Sequence, residues 1–225
     1  MPTTEYTCVL WDVDGTIADA SRGILPRLVA VFESYGLPVP DASSLSLWIG
    51  PPMLESFQRL GGMGIDQAAE AVARYRALAA EDGYAAAVDL YEGVPELVRD
   101  VHAAGIPQST ASTKPENQVR AILEHYELID QFEAVSGAAS GPEGQHEGKA
   151  EVLQRALTRL SAAGVDVSRP VLIGDRHHDI DGAALYDIPV IFVDWGFGEA
   201  SEAEGSIARV ATVDELRELI LPEGR

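Results

Sequence analysis

Short, continuous apolar runs alternate with amphipathic stretches over most of the chain. Residues 8–11, 170–174 and 189–193 have the length and composition of strands buried on both faces. Residues 131–136 are also predicted to form a strand, and residues 106–112 show a weaker strand pattern. Helical periodicity covers the stretches between them, at residues 92–104, 115–126, 149–163, 179–186 and 212–221. This alternation predicts an α/β fold with a Rossmann-like core, a parallel sheet with helices on both faces.

The segment after the first predicted strand has a different pattern. Residues 24–35, 53–60 and 66–80 have helical character, glycines interrupt them, and no strand pattern lies among them. The segment is far longer than an ordinary connection between a strand and a helix. We therefore expect a helical domain at residues 18–90, inserted into an α/β core that is formed by residues 1–17 and 91–225.

Two carboxylates follow the first predicted strand, at Asp12 and Asp14, and Gly15 comes directly after them. Asp and Gly are ordinary turn residues, so a plain turn is one interpretation. Buried carboxylates repel one another unless a cation or a proton intervenes, and ligands of open α/β sheets bind at the carboxyl ends of the strands. The pair therefore also suggests a metal site or a division of acid and base roles.

Polar side chains also follow the later predicted strands. They are Ser112, Thr113 and Lys114, then Lys149, then Asp175 and Asp179. Each is a weak signal by itself. Because the carboxyl ends of parallel strands meet at one edge of a sheet, these side chains are candidates to meet Asp12.

The chain is strongly acidic, with 36 acidic and 16 basic side chains and a formal net charge of −20. This charge argues against a nucleic-acid partner, because phosphate backbones are bound by clustered Lys and Arg. It also means that an anionic substrate needs a local positive centre. The acidic run at residues 199–205 is most simply a solvated surface segment.

Cellular location is addressed by three features of the sequence. Cys8 is the only cysteine, so no intrachain disulfide can form, which fits a reducing compartment. No apolar run approaches the roughly 20 residues of a membrane span, and the first residues lack the pattern of a signal peptide. We therefore expect a cytoplasmic protein without a membrane partner.

Taken in order, these motifs resemble those of the haloacid dehalogenase superfamily of aspartate-nucleophile phosphatases. The four motifs appear as Asp12-Val13-Asp14-Gly15-Thr16, then Ser112, then Lys149, then Gly174-Asp175 with Asp179. The insertion at residues 18–90 is similar to the mobile helical cap of the phosphoglycolate phosphatase and β-phosphoglucomutase branches. Ile49-Gly50-Pro51-Pro52 and Trp195-Gly196-Phe197-Gly198 look closest to the subgroup of 5′-nucleotidase-like or phosphoglycolate phosphatase-like proteins.

The resemblance also implies a strand order and a reaction type. The strand before Asp12 would lie centrally, flanked by the strands that lead to Ser112 and Asp175. Dehalogenases of the superfamily lack a second Asp at the position of Asp14, so this chain should transfer a phosphoryl group.

Residue chemistry and the resemblance together assign the catalytic roles. Asp12 would attack a phosphate ester and form an aspartyl-phosphate, while Asp14 would act as general acid and then as general base. Two anions approach each other only with the help of a cation. We expect Mg²⁺ on the carboxylates of Asp12 and Asp175 and, as the family implies, on the backbone carbonyl of Asp14.

The remaining motif residues would bind or orient. Ser112, or the adjacent Thr113, and Lys149 would bind the phosphoryl oxygens. Asp179 would orient Lys149 or a metal-bound water.

The rigid loop at residues 48–53, called the cap loop below, would close over the site. Trp48, Gly50 and Pro51 are candidate substrate contacts in it, although a Trp beside two prolines also suits simple packing. The expected partner is a small phosphorylated metabolite of the phosphoglycolate or 5′-nucleotide type. A phosphomutase of the β-phosphoglucomutase type and a non-catalytic acidic metal-binding module are the alternatives, and the sequence leaves a monomer or a homodimer open.

Overall fold

The computed structural model describes residues 6–41 and 44–221. The ends of the predicted core, and most of the N-terminal stretch considered for a signal peptide, lie outside the described residues. The strands are β1 Cys8–Trp11, β2 Ala18–Asp19, β3 Asp89–Leu90, β4 Gln108–Thr110, β5 Ser112–Pro115, β6 Gly137–Ala138, β7 Pro170–Gly174, β8 Val190–Val193 and β9 Ala208–Val210. The α-helices are α1 Ser21–Ser34, α2 Met53–Arg59, α3 Ile65–Asp82, α4 Val94–Ala103, α5 Glu116–His125, α6 Lys149–Ala162, α7 His177–Ala184 and α8 Val213–Ile220.

A parallel five-stranded sheet forms the core, in the order β4-β1-β7-β8-β9. Strand β1 is fully buried and lies between β4 and β7, the strands that lead to Ser112 and Asp175. Side chains of β1 alternate between two apolar layers, Val9 and Trp11 facing α4, α5 and α8, and Cys8 and Leu10 facing α6 and α7. The predicted α/β fold with helices on both faces is therefore confirmed.

Between β2 and β3 the chain forms the three helices α1, α2 and α3. The two short strands pair antiparallel, Ala18 with Leu90 and Asp19 with Asp89, so the segment leaves and rejoins the core at one point. Phe32 and Phe57 pack edge-on against Trp48 with ring centroids 5.4 and 5.3 Å apart, which gives the helices an aromatic centre. In the part of the chain that the structure describes, no helix has the length and apolar character needed to cross a bilayer.

The strand predicted at residues 131–136 is wrong. A single bridge joins Ala134 to Ser109, and the small parallel sheet nearby pairs β5 with β6 instead. Backbone hydrogen bonds join the two segments from the Glu133 N–H to the Gln108 carbonyl and from the Thr110 N–H to the Ala134 carbonyl, at 3.0 and 3.3 Å. Side chains interrupt the pairing on either side: the Gln108 N–H donates to the Glu133 carboxylate, and the Ser136 N–H donates to the Thr110 hydroxyl.

Candidate active site

The predicted site residues that follow β1, β4 and β7 lie at one edge of the sheet. The backbone continues the pairing past each strand, because Asp12 donates its N–H to the Ile173 carbonyl and Ala111 donates to the Trp11 carbonyl, at 2.9 and 2.7 Å. Asp12 and Asp175 therefore follow neighbouring strands at the same level. The structure brings these predicted residues together, with Ser112 beside them, and buries them all.

Lys149 is held between two carboxylates. Its Nζ lies 2.7 Å from Asp12 Oδ1 and 2.6 Å from Asp179 Oδ1, and it also donates to the Ala111 carbonyl at 2.7 Å. The other oxygen of Asp179 accepts the backbone N–H groups of Asp175 and Arg176, at 3.1 and 3.0 Å. Asp179 thus lies where it can orient Lys149. The two carboxylates raise the pKa of Lys149 against the opposing effect of burial, so the lysine is fully charged.

Asp175 is completely buried in a tight cradle. Phe197 donates its N–H to Asp175 Oδ2 at 2.7 Å, and the Thr16 hydroxyl lies 3.4 Å from Oδ1. Gly15 has a φ of +92°, and a Cβ at this position would overlap the Asp175 carboxylate. The glycine that follows the two aspartates is therefore required by both conformation and space.

Asp14 forms an ion pair that sequence reasoning missed. Lys114 Nζ lies 2.8 Å from Asp14 Oδ2, and both side chains are about nine-tenths buried. Asp14 Oδ1 is buried and has no hydrogen-bond partner among the described residues. The sequence showed Lys114 beside the predicted phosphate ligands, but nothing in it indicated a pairing across one hundred positions.

Burial dominates the electrostatics of the carboxylates. Desolvation raises the pKa of Asp12, Asp14 and Asp175, and it prevails over the lowering effect of Lys149 on Asp12 and of Lys114 on Asp14. With Asp179, four buried carboxylates face two lysines, so two negative charges remain when all four carboxylates are ionised. A divalent cation carries the charge that would balance them.

The donor set fits such a cation. Carboxylate oxygens of Asp12, Asp175 and Asp179 lie within 4.8 Å of one another, and all three residues are buried. Oxygen ligands of this kind suit Mg²⁺. Because both oxygens of Asp179 already contact Lys149 or backbone N–H groups, Asp12 and Asp175 are the better side-chain ligands.

The two candidate phosphate ligands on β5 differ in their contacts. The Thr113 hydroxyl donates to the Gly50 carbonyl of the cap loop at 2.8 Å. Ser112 is buried at the strand end, where its Oγ accepts the Lys114 N–H at 3.3 Å and its own hydroxyl proton remains available. The geometry favours Ser112 over Thr113 as the phosphate ligand.

Arg176 makes a second contact with the cap loop. The Arg176 guanidinium donates to the Ile49 carbonyl, and a Cβ at Gly50, whose φ is +105°, would lie 2.9 Å from Arg176 Cγ. Arg176 also pairs with Glu202 through a 3.0 Å contact from Nε. The prediction that residues 199–205 are simply solvated is therefore wrong at Glu202, whose carboxylate also contacts His177.

Between the helical insertion and the core lies a pocket that opens beside Asp14. It encloses about 580 Å³, part of which is open to solvent, and its wall includes Trp48, Gly50 and Pro51 as well as Lys114. The predicted cap-loop residues thus lie at the site. Trp48 is 1% exposed, so most of its surface packs against other side chains, which was the alternative interpretation of this residue.

Comparison with known proteins gives one matching family and relatives whose named activities differ. The family described as haloacid dehalogenase-like hydrolase matches residues 9–193. The tyrosine-protein kinase PtkA of Mycobacterium tuberculosis is 35% identical over 216 residues, which are 94% of this chain and 72% of that protein. A 5′-nucleotidase of Pseudomonas aeruginosa is 32% identical over 198 residues, 88% of this chain and 86% of that one. The crystal structure of a predicted phosphatase from Clostridium acetobutylicum superposes with a TM-score of 0.86 at 30% identity, over 95% of this chain and 97% of the other.

Proposed function

The chain belongs to the haloacid dehalogenase-like hydrolase family, and from this premise we propose that it is a Mg²⁺-dependent phosphatase of a small phosphate monoester. The observation that carries the proposal is the buried meeting of Asp12, Asp175 and Lys149 at adjacent strand ends, beside a pocket of about 580 Å³. Relatives and solved structures that are named as phosphatases support the reaction class. The resemblance seen in the motifs is confirmed at the level of the family.

In the first half of the reaction, a carboxylate oxygen of Asp12 attacks the phosphorus and the ester P–O bond breaks. Asp14 gives a proton to the departing oxygen. Its raised pKa suits this role, because burial favours the protonated form despite the nearby Lys114. Ser112 and Lys149 bind the phosphoryl oxygens and stabilise the negative charge in the transition state.

The cation would be held by the carboxylates of Asp12 and Asp175 and, as in the family, by the backbone carbonyl of Asp14. When bound there, Mg²⁺ supplies the positive charge that lets an anionic nucleophile approach an anionic ester. Asp179 keeps Lys149 charged and in place.

In the second half, Asp14 removes a proton from a water molecule that attacks the phosphorus of the aspartyl-phosphate. The bond between phosphorus and Asp12 then breaks, phosphate leaves, and both aspartates return to their starting state. The helical segment at residues 18–90 acts as the cap, and closure of the cap loop excludes competing water. A cytoplasmic location, with a small phosphorylated metabolite as substrate, completes the proposal.

The test is phosphate release from a panel of small esters, with Mg²⁺ and with EDTA. The panel includes phosphoglycolate, several 5′-nucleotides, hexose phosphates and an aryl phosphate. We expect phosphate release that depends on Mg²⁺ and that Asp12→Asn abolishes. The Tm of that variant should be unchanged or slightly higher, because the neutral amide removes a buried charge.

Three other outcomes would contradict the proposal. Substantial turnover by Asp12→Asn excludes the covalent mechanism. Transfer of the phosphoryl group within a sugar, with little net release and a need for a bisphosphate activator, indicates the mutase. Metal binding without turnover of any ester indicates the non-catalytic module.

A further inference from the structure

We infer that Arg76 and Gln118 form a second anion-binding site in the pocket beside Asp14, so that the substrate carries an anionic group in addition to the phosphate that is transferred. This inference rests on the proposed phosphatase function and makes its substrate class more specific. It comes from two polar side chains in the pocket wall whose hydrogen-bonding capacity the protein leaves unused.

Arg76 lies on α3 and reaches the pocket from the helical insertion. Its Nη1 donates to the carbonyl of Gly141 at 2.9 Å, and that acceptor is neutral. The ion pairs formed by the described residues do not include Arg76, although Glu143 is near enough to act on its charge. Burial lowers the pKa of Arg76, so its guanidinium is partly desolvated without being paired.

Gln118 faces the same pocket from the opposite domain, on α5. It is 7% exposed, and its side-chain amide has no hydrogen-bond partner among the described residues. The fully buried polar atoms without a partner among the described residues do not include those of Gln118, so its amide is open to the pocket. An amide N–H of Gln118 is therefore available to a ligand in the pocket that Arg76 also lines.

The other basic groups near the site are already neutralised. Lys114 pairs with Asp14, Lys149 with Asp12, and Arg27, behind the pocket, with Asp82. In a chain of net charge −20, Arg76 is the basic residue of the pocket wall that lacks an ion pair within the described part of the chain. It supplies the local positive centre that an anionic substrate requires.

The group that fits is a carboxylate or a second phosphate. A guanidinium presents two parallel N–H donors that match either oxyanion, and the Gln118 amide adds a further donor. Ile24, Leu54 and Val72 supply apolar wall to the same pocket. The substrate is therefore a short ester with a phosphate at one end and an anion at the other.

The test uses three matched esters and kinetics with Mg²⁺. Phosphoglycolate carries a carboxylate at its far end, ethylene glycol bisphosphate carries a phosphate, and 2-hydroxyethyl phosphate carries a neutral hydroxyl. The variant is Arg76→Gln, and the control is Arg74→Gln, which removes the same charge from an exposed position on the same helix. Arg76→Lys and Gln118→Leu separate charge from hydrogen-bond geometry.

We expect Arg76→Gln to raise KM about 10- to 100-fold for one or both of the doubly anionic esters, the range for a lost charge-assisted hydrogen bond. KM for 2-hydroxyethyl phosphate should change less than about twofold, and kcat should change little. Arg76→Lys should recover part of the loss, and Gln118→Leu should raise KM for the same ester about 3- to 10-fold. The ester that is most affected identifies the anion as carboxylate or phosphate.

Equal losses on all three esters would show that Arg76 only ties α3 to the Gly141 loop, and no loss on any of them would show that it binds nothing. Both results overturn the inference. A parallel titration of Asp12→Asn with the three esters, with and without Arg76→Gln, measures Kd without turnover. If the wild-type chain hydrolyses no ester, the phosphatase proposal fails, and the Kd ratios decide the anion site independently.

Discussion

Glu202→Gln tests whether the ion pair between Arg176 and Glu202 stabilises the folded protein next to Asp175. Glu202 Oε2 accepts from Arg176 Nε at 3.0 Å and from the N–H and Nδ1 of His177 at 3.2 and 2.5 Å. These donors lower the pKa of Glu202 to about 2, although burial opposes them. The amide keeps the shape of the side chain but removes its charge.

The magnitude follows from the exposure of the two partners. Removing one partner of a fully buried ion pair costs about 3–5 kcal/mol, because the other charge stays buried and unpaired. The Arg176 side chain is 5% exposed, but that of Glu202 is 16% exposed, and Arg176 keeps its bond to the Ile49 carbonyl. Solvent screening and the amide oxygen that remains reduce the expected loss to about 2 kcal/mol in the free energy of unfolding.

Urea denaturation at pH 7, followed by tryptophan fluorescence, measures this difference. Glu204→Gln is the matched control, since it removes the same charge from an exposed position two residues away and should change stability by less than about 0.5 kcal/mol. Because the folded pKa of Glu202 is depressed, the contribution is present above the ordinary Glu range and is lost as the pH falls towards about 2. If both variants lose the same small amount at pH 7, the ion pair does not stabilise this region and the reasoning is wrong.

Two further predictions concern the charges around the nucleophile. Lys149→Met leaves Asp12 and Asp179 buried without their cation, so it should lower the free energy of unfolding by about 3–5 kcal/mol and abolish phosphate release. Adding Asp179→Asn should restore part of the stability but no activity. If Lys149→Met alone is as stable as wild type in urea denaturation, the prediction is wrong. Mg²⁺ should raise the Tm of the wild-type chain but not of Asp175→Asn, and more at pH 7 than at pH 5. Burial raises the pKa of Asp12 and Asp175, so the metal-free fold loses stability as the pH rises and these groups ionise. Differential scanning calorimetry measures the effect, and an equal rise in Tm at both pH values would refute the argument.

The sequence predicted the parts of the site that depend on strand ends. Asp12 and Asp175 follow strongly apolar runs, and the parallel arrangement of such runs places their ends side by side. Lys114 and Glu202 could not be assigned in this way, because each acts through a partner about one hundred or twenty-six positions away. An acidic run has the same appearance in a sequence whether its members face water or a buried arginine.

The fold was predicted with the same limits. Long amphipathic helices were placed within a few residues, whereas β2 and β3 are too short to produce a pattern. The strand predicted at residues 131–136 failed because alternation of polar and apolar residues does not reveal where a ladder is interrupted, here at the Ser136 N–H, which donates to the Thr110 hydroxyl.

Redesign of this protein for other substrates is constrained by the backbone at Gly50. The residue has a left-handed φ, lies against the stem of Arg176, and gives its carbonyl to Thr113, so any side chain there disturbs both core residues next to the phosphate and metal positions. Variants selected for a new substrate should therefore retain Gly50. A mutant library is better directed to Met53, which lines the pocket from the start of α2 and is only partly buried.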